Sequence, residues 1–226
     1  NIEVIVLNDQ SEDNTEKILH ALKKKYKDLK IISGSDLPQG WLGKNWACHQ
    51  LSTHASGDIL MFVDADCYLT PSAVNYCIRR MKIYQLQLLS VFPTQKMRSS
   101  GEHLVVPLME WLLLSLLPLR MVYISSWKSF IAANGQLMAF DRIAYEIIGG
   151  HRAVKNKVVE DMELARLIKG IGFTVMTALG GSSVYCRMYG TLQDSIRGFS
   201  KNFYAGFNSS AVSFLAFIIF LFIVNI

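Results

Sequence analysis

The sequence lacks several patterns that would assign it to common classes of protein. Its four cysteines form no CxxC pair and show no other metal-ligand spacing, so we expect reduced thiols in a cytoplasm-facing domain. The lysines at 23–30 are not interleaved with aromatic residues in the way a base-stacking groove requires, which argues against nucleic-acid binding. They are typical of a solvated helix face, and beside an apolar segment they also suit anionic lipid headgroups.

The chain also lacks an initiator methionine and a signal peptide. It opens inside an apparent strand, IEVIVL, so we expect further residues before Asn1. Near its other end, residues 211–224 carry no charge, and we interpret residues 210–226 as the start of a C-terminal transmembrane helix, with a buried core helix as the alternative. A second apolar segment, 104–124, is interrupted by prolines and charges, which favours interfacial helices or the lining of a groove.

Apolar runs and amphipathic stretches alternate along most of the 226 residues. Strand, helix, strand, helix and strand follow one another from Ile2 to Val63, which predicts an α/β fold with a mostly parallel sheet and helices on both faces. A further helix is expected from about residue 158 to a stop at Gly170. Residues 190–208 form an amphipathic pattern, which predicts a helix lying along a membrane surface.

Two aspartates one residue apart, Asp64 and Asp66, follow the apolar run ILMFV. Neighbouring carboxylates repel each other, so a divalent cation or a shared proton is needed to hold them together. Two interpretations are open. The pair holds Mg²⁺ or Mn²⁺ on the diphosphate of a sugar nucleotide, or Asp64 is the nucleophile of a haloacid dehalogenase-type phosphatase. Tyr68 stands where such phosphatases favour Thr or Val, which counts against the second interpretation.

Other acids extend this pattern. Asp9 also follows a predicted strand, and open α/β sheets bind ligands beyond the carboxyl ends of their strands. Glu160 and Asp161 stand near the start of the later amphipathic helix. They are explained either as favourable charge at a helix N-terminus or as a base that takes a proton from an acceptor hydroxyl.

Several motifs together resemble one family. They occur in the expected order from residue 2 to about 210: NDQSEDNT, GWLGKNWACHQ, FVDAD, NGQLMAF with IGGH, VVEDMELAR, and CRMYGTLQDSIRGFSKN. This combination resembles family 2 glycosyltransferases of the GT-A fold, a Rossmann-like α/β fold. The GWxGKxxA element and the late RMY resemble the membrane-bound branch that glycosylates lipids, including diaponeurosporenoate and hopanoid-associated glycosyltransferases.

The resemblance implies a role for each matching position. On the donor side it implies nucleotide-sugar contacts at Asp9, Asp13, Lys44, Asp64, Asp66, Arg187 and Arg197. Asp66 is the expected direct metal ligand, assisted by Asp64, and the expected cofactor is Mg²⁺ or Mn²⁺. Asp161 matches the general base, with Glu160 as its catalytic neighbour. We place His151, Asn134 and Trp41 on the acceptor side.

The resemblance also has departures. No Trp follows Arg197, so Arg187 is an equal candidate for the diphosphate contact. The family begins with an earlier strand and helix, so residues 1–189 are expected to form a GT-A catalytic domain without them.

The resemblance implies an inverting glycosyltransferase that moves a hexose from a UDP-sugar to a carotenoid, hopanoid or other polyisoprenoid acceptor. It is expected at the cell membrane, with its catalytic domain facing the cytoplasm. The alternative is an inactive, membrane-anchored module that binds sugar nucleotides.

Overall fold

The computed structural model describes most of the chain, and the elements below belong to this part. The described residues are 2–100, 102–107, 119–187, 191–194, 196–198, 200 and 219.

Strands and helices alternate from residue 4 to residue 63, as the sequence predicts. The strands are β1 Val4–Asn8, β2 Leu29–Ser33, β3 Ile59–Val63, β4 Cys67–Leu69, β5 Leu88–Phe92, β6 Thr94–Gln95, β7 Leu137–Asp141, β8 Val175–Leu179 and β9 Val184–Cys186. The helices are α1 Thr15–Lys25, α2 Gly43–His54, α3 Ala73–Ile83, α4 at 102–107, α5 Leu119–Ile124, α6 Arg142–Ile147, α7 Gly150–Ala153 and α8 Glu160–Gly170.

The central sheet is mixed, so the prediction of a mostly parallel sheet is wrong. Its strand order is β3-β7-β5-β8, and β7 runs antiparallel to both of its neighbours. Only β5 and β8 are parallel within it, while β1 and β2 form a separate parallel pair. The reason is that the chain re-enters the sheet with β7 at the same end where β5 finishes. A return of this kind gives an antiparallel neighbour, whereas a parallel one needs a crossover to the opposite end.

Both faces of this sheet are covered, as predicted. Because side chains alternate along a strand, Leu88 and Phe140 point into one apolar cluster while Leu89 and Ala139 point into the other. Helices α5, α6 and α8 contribute to the first cluster, and α3 contributes to the second. A third sheet, β4-β9-β6, lies where the chain leaves β3 and β5.

The predicted membrane-associated segments lie largely outside the described residues. No helix among the described residues is long and apolar enough to cross a membrane. The predicted transmembrane start at 210–226 lies outside the described residues except for position 219, and the apolar segment 104–124 is described only at its two ends. Within the predicted interface helix at 190–208, residues 192–194 and 196–198 are helical.

Candidate active site

The paired aspartates occupy a tight turn at the end of β3. The Asp64 amide donates to the Gln136 carbonyl at 3.0 Å, which extends the β3–β7 ladder by one residue. The Cys67 amide then donates back to the Asp64 carbonyl at 3.0 Å and closes the turn. Both aspartates are half-buried. The turn therefore holds two carboxylates at the rim of the central sheet.

Lys44 joins this turn to α8. It stands in the first turn of α2, and its Nζ lies 3.0 Å from Asp64 Oδ2 and 3.1 Å from Glu160 Oε1. Burial by itself would lower the pKa of Lys44, but the charges of Glu160 and Asp64 outweigh it and hold that pKa above its usual value. Lys44 is therefore a fixed cation between two carboxylates.

Asp161 is held by backbone amides at the start of α8. Its Oδ2 accepts from the Gly135 amide at 2.9 Å, and its Oδ1 accepts from the Met162 amide at 2.7 Å. Burial, followed by the charge of Glu160, raises the pKa of Asp161 to about 6. A carboxylate with this pKa is ionised at neutral pH and basic enough to take a proton.

Gly135 is the point at which these groups meet. A Cβ on this glycine would lie 2.9 Å from Lys44 Nζ and 3.2 Å from Glu160 Oε1, so a side chain would displace the ion pair. Gly135 belongs to the NGQ motif, but the sequence does not predict its role at the site. The absence of a side chain here leaves space for Lys44, Glu160 and Asp161.

Asn134 lies beside this point on the same loop. The Ser90 hydroxyl accepts from the Asn134 amide at 2.7 Å, and Asn134 Oδ1 accepts from the Gln136 amide at 2.8 Å. Its side-chain oxygen therefore shapes the loop, and its predicted contact with the acceptor stays a prediction. Trp41 is half-buried, stacked on His49 and edge-on to Trp46, near the start of α2, and it also stays a candidate for the acceptor side.

His151 does not belong to the acceptor side, which corrects the sequence prediction. It is 3% exposed, and its Nδ1 lies 2.8 Å from the Tyr145 hydroxyl within the first apolar cluster. Phe62 packs edge-on against its ring. Burial lowers the pKa of His151 to about 3, so the ring is neutral. Its sequence neighbours Gly149 and Gly150 adopt positive φ, which turns the histidine inward rather than towards solvent.

The two aspartates of the first motif lie in the connection between β1 and α1. Asp9 is exposed just after β1, where Gly34 leaves it room: a Cβ on Gly34 would lie 2.8 Å from Asp9 Oδ1. Asp13 Oδ1 accepts from the amide of Thr15, the first residue of α1, at 2.9 Å. This hydrogen bonding lowers the pKa of Asp13. Asp13 thus has a structural role in the fold, and the predicted nucleotide contacts of both aspartates remain predictions.

Arg187 and Arg197 are both exposed, and Arg187 contacts the turn that carries Asp64 and Asp66. The Arg187 amide donates to the Asp66 carbonyl at 3.3 Å, and its Nε lies 3.9 Å from Glu102 Oε1. Glu102 is a buried carboxylate that sequence reasoning missed. Its Oε2 accepts from the Ser99 amide, and the Ser99 hydroxyl accepts from the Glu102 amide. The S-x-x-E spacing of a capping box was the signal that could have revealed it.

Asp64 and Asp66 fit a hard divalent cation. Both offer carboxylate oxygens, the donors that Mg²⁺ and Mn²⁺ prefer, and both are half-buried rather than enclosed. Burial raises the pKa of Asp64, although Lys44 opposes that effect. A positive ion beside the pair would offset the repulsion between the two carboxylates.

A mixed α/β sheet with an acid pair, a lysine and a second acid pair around one rim matches the GT-A type of domain that the sequence resemblance implies. Residues 1–114 match the family described as "Glycosyl transferase family 2". This match covers about half of the chain, and the chain belongs to that family. Family membership removes the phosphatase alternative for the aspartate pair.

Known proteins agree with this assignment. The chain is similar to a 4,4'-diaponeurosporenoate glycosyltransferase of Staphylococcus haemolyticus, with 24% identity over 227 residues that cover 96% of this chain and 58% of the relative. It thus spans little more than half the length of that curated relative.

Two solved structures share the fold. The mannosyltransferase PcManGT from Pyrobaculum calidifontis, in complex with GDP-Man and Mn²⁺, superposes with a TM-score of 0.59 at 18% identity, over 82% of this chain and 47% of that one. S. aureus TarS 1-349, in complex with UDP-GlcNAc, gives a TM-score of 0.54 at 13% identity, over 89% and 57%.

Proposed function

We propose that this protein is a metal-dependent, inverting hexosyltransferase that moves a sugar from a UDP-sugar to a lipid-like acceptor of the carotenoid, hopanoid or other polyisoprenoid type. The observation that carries the proposal is the cluster around Gly135, where Lys44, Asp64, Glu160 and Asp161 meet beside the Asp66 turn. Family membership makes glycosyl transfer the chemistry for which such a cluster is suited. The curated relative, whose name specifies a diaponeurosporenoate acceptor, supports the acceptor class.

The donor end of the reaction belongs to the turn after β3. Asp64 and Asp66 would hold Mg²⁺ or Mn²⁺, and such a cation, when bound, neutralises the charge of the departing nucleoside diphosphate. Arg187 stands next to Asp66 and would bind a diphosphate oxygen through its guanidinium group. Asp9 and Asp13 would contact the nucleotide from the rim of β1. The Mn²⁺ of the PcManGT complex and the UDP-GlcNAc of the TarS complex support this assignment.

The acceptor end belongs to Asp161. Two backbone amides fix its carboxylate, and its raised pKa suits removal of a proton from an acceptor hydroxyl during attack on the face of the sugar opposite the leaving group. If the acceptor is a carboxylate, as the relative's name suggests, it arrives already ionised. Asp161 then orients it and removes no proton.

The site of action is proposed as the cytoplasmic side of the cell membrane. The uncharged run at 211–224 and the broken apolar segment at 104–124 support it, since both suit lipid contact. A lipid-like acceptor would reach the site from the bilayer without crossing water.

The proposed function is tested with the full-length protein in detergent or vesicles, supplied with Mn²⁺ or Mg²⁺, UDP-hexoses and a polyisoprenoid acid or alcohol. The expected results are UDP release coupled to a glycolipid, and inversion of the anomeric configuration between donor and product. The same assay with GDP-mannose examines donor choice.

Two matched variants sharpen this test. Asp66→Asn is expected to abolish metal-dependent UDP binding, whereas Asp58→Asn, a change in the loop before β3, is expected to retain it. Metal-dependent UDP binding without any transfer to a lipid would favour the inactive binding module. Retention of binding by Asp66→Asn would contradict the assignment of the metal pair.

A further inference from the structure

A thiol pair lies beside the predicted metal aspartate. Cys67 and Cys186 are direct partners in the antiparallel β4–β9 ladder, so their side chains point to the same face of that small sheet. Both are free cysteines. Asp66 completes the group: one carboxylate oxygen and the two sulfur atoms all lie within 4.8 Å of one another. Residues from two distant parts of the chain thus converge on one point.

Gln136 gives this point a polar lining. It is 4% exposed, and its side-chain Nε2 donates to Cys186 Sγ at 2.8 Å. Its carbonyl accepts from Cys67 Sγ at 3.5 Å, and its Oε1 accepts from Gln95 at 3.3 Å. A buried amide that donates to a sulfur is the kind of outer contact that orients a ligand atom and stabilises it when it is deprotonated.

We propose that Asp66, Cys67 and Cys186 form a binding site for a thiophilic divalent cation of the Zn²⁺ type, distinct in chemistry from the Mg²⁺ or Mn²⁺ site of the proposed function. Two sulfur donors and one carboxylate match Zn²⁺, which takes four ligands and leaves one position for water here. Mg²⁺ prefers oxygen donors only, so the two thiols discriminate against it.

Binding at this site is a proton exchange without electron transfer. One proton leaves each thiol, both sulfur–metal bonds form, and the oxidation states do not change. Proton release on metal binding is therefore part of the expected signature.

Occupation of this site has a consequence for catalysis that rests on the proposed function. Asp66 belongs to both donor sets, so an ion bound to the two sulfurs withdraws this carboxylate from the Mg²⁺ or Mn²⁺ that meets the diphosphate. Zn²⁺ is therefore expected to inhibit transfer, and added Mn²⁺ is expected to oppose that inhibition.

The direct test is optical and needs no turnover. The full-length protein, kept reduced with a phosphine, is titrated with Co²⁺, which gives sulfur-to-metal charge-transfer absorption only when thiolates bind it. The expected result is this absorption with proton release, and its disappearance when Zn²⁺ displaces Co²⁺. Co²⁺ binding without charge-transfer absorption would overturn the proposal.

Three variants assign the absorption to the site. Cys67→Ser is expected to lose most of it, while Cys77→Ser, which changes a thiol buried in the second apolar cluster, is expected to keep it. Gln136→Leu retains every ligand and is expected to weaken Zn²⁺ binding about 10-fold or more, as loss of an outer contact does. Equal Zn²⁺ affinity in Cys67→Ser and the native protein would refute the site.

The activity assay separates this proposal from the proposed function. Zn²⁺ inhibition is measured against each variant's own Mn²⁺-supported rate, and the Cys67→Ser variant is expected to need more Zn²⁺ for half inhibition. If the protein shows no transfer at all, the proposed function fails while the Co²⁺ absorption still decides the thiolate site.

Discussion

Removal of the Lys44 charge is the most informative perturbation of the site. We expect Lys44→Met to destabilise the fold by about 2–3 kcal/mol at neutral pH, because two carboxylates lose their partner. The ion pairs span 3.0 and 3.1 Å. Coulomb's law at an effective dielectric constant of about 20 gives roughly 5 kcal/mol for each pair. Lys44 is 42% exposed, so solvent screening leaves about 1 kcal/mol each. Glu160, 7% exposed, adds the cost of a buried charge without a partner.

The same substitution changes how stability depends on pH. Lys44 lowers the pKa of both Asp64 and Asp161, so its removal raises both values further. A carboxyl group whose pKa is higher in the folded state than in the unfolded state stabilises the fold while it is protonated. This stabilisation is lost as the pH rises from the unfolded-state pKa to the folded-state pKa. The free energy of unfolding of Lys44→Met is therefore expected to fall more steeply than that of the native protein between pH ~4 and ~7.

Urea unfolding followed by tryptophan fluorescence measures both effects, since Trp41 and Trp46 lie at the start of α2 close to Lys44. Lys24→Met, on the exposed side of α1, is the matched control and should stay within about 0.5 kcal/mol of the native protein. A Lys44→Met deficit below about 0.5 kcal/mol at neutral pH, or one that does not shrink in acid, would refute the reasoning.

Three further predictions follow from the geometry. With a hydroxyl acceptor, kcat/KM should rise as the pH passes about 6 and Asp161 ionises, and Asp161→Asn should abolish this rise. With a carboxylate acceptor, which needs no proton removed, the rise due to Asp161 should be absent. Profiles of kcat/KM against pH with both acceptors measure the difference. Gly135→Ala should lower the transfer rate at least ~10-fold because the new methyl group displaces Lys44. The control Gly43→Ala should be tolerated because there is open space around Gly43. Initial rates of transfer measure the difference. The pKa of His151 is about 3 in the folded protein and ~6.5 in the unfolded chain, so the unfolded chain binds a proton first as the pH falls between these values. The folded state therefore loses stability over this range. His151→Gln should lose less melting temperature than the native protein between these pH values.

Some elements were predictable because their signals are local. The apolar run before Asp64 marks β3, and the amphipathic pattern ending at Gly170 marks α8, which stops there in the structure. The face of α1 was less predictable. Ile18, Leu22 and Tyr26 are spaced four residues apart, a pattern that suggests one covered face. Ile18 is nevertheless 57% exposed, and its neighbour Leu19 is buried. The periodicity of a helix does not specify which surface packs against it.

In the candidate site, too, some features were predictable from the sequence and others were not. The acid pairs and Lys44 were identifiable from motifs, since each is a short pattern at the edge of a predicted element. Their contacts were not: the Lys44–Glu160 pair depends on Gly135, which is far from both in sequence. His151 illustrates the reverse error, because its position after two glycines suggests exposure and only the packing against Tyr145 shows that it is buried.

The sequence by itself determined the family, the order of most elements and the residue types at the rim, because these depend on hydrophobic periodicity, turn residues and motif spacing within short windows. The tertiary structure alone decided the direction of β7, the neutral interior environment of His151 and the meeting of Cys67 with Cys186. Each of these depends on which distant segments pair and in what register. Strand pairing is a property of two segments together, so neither segment specifies it alone.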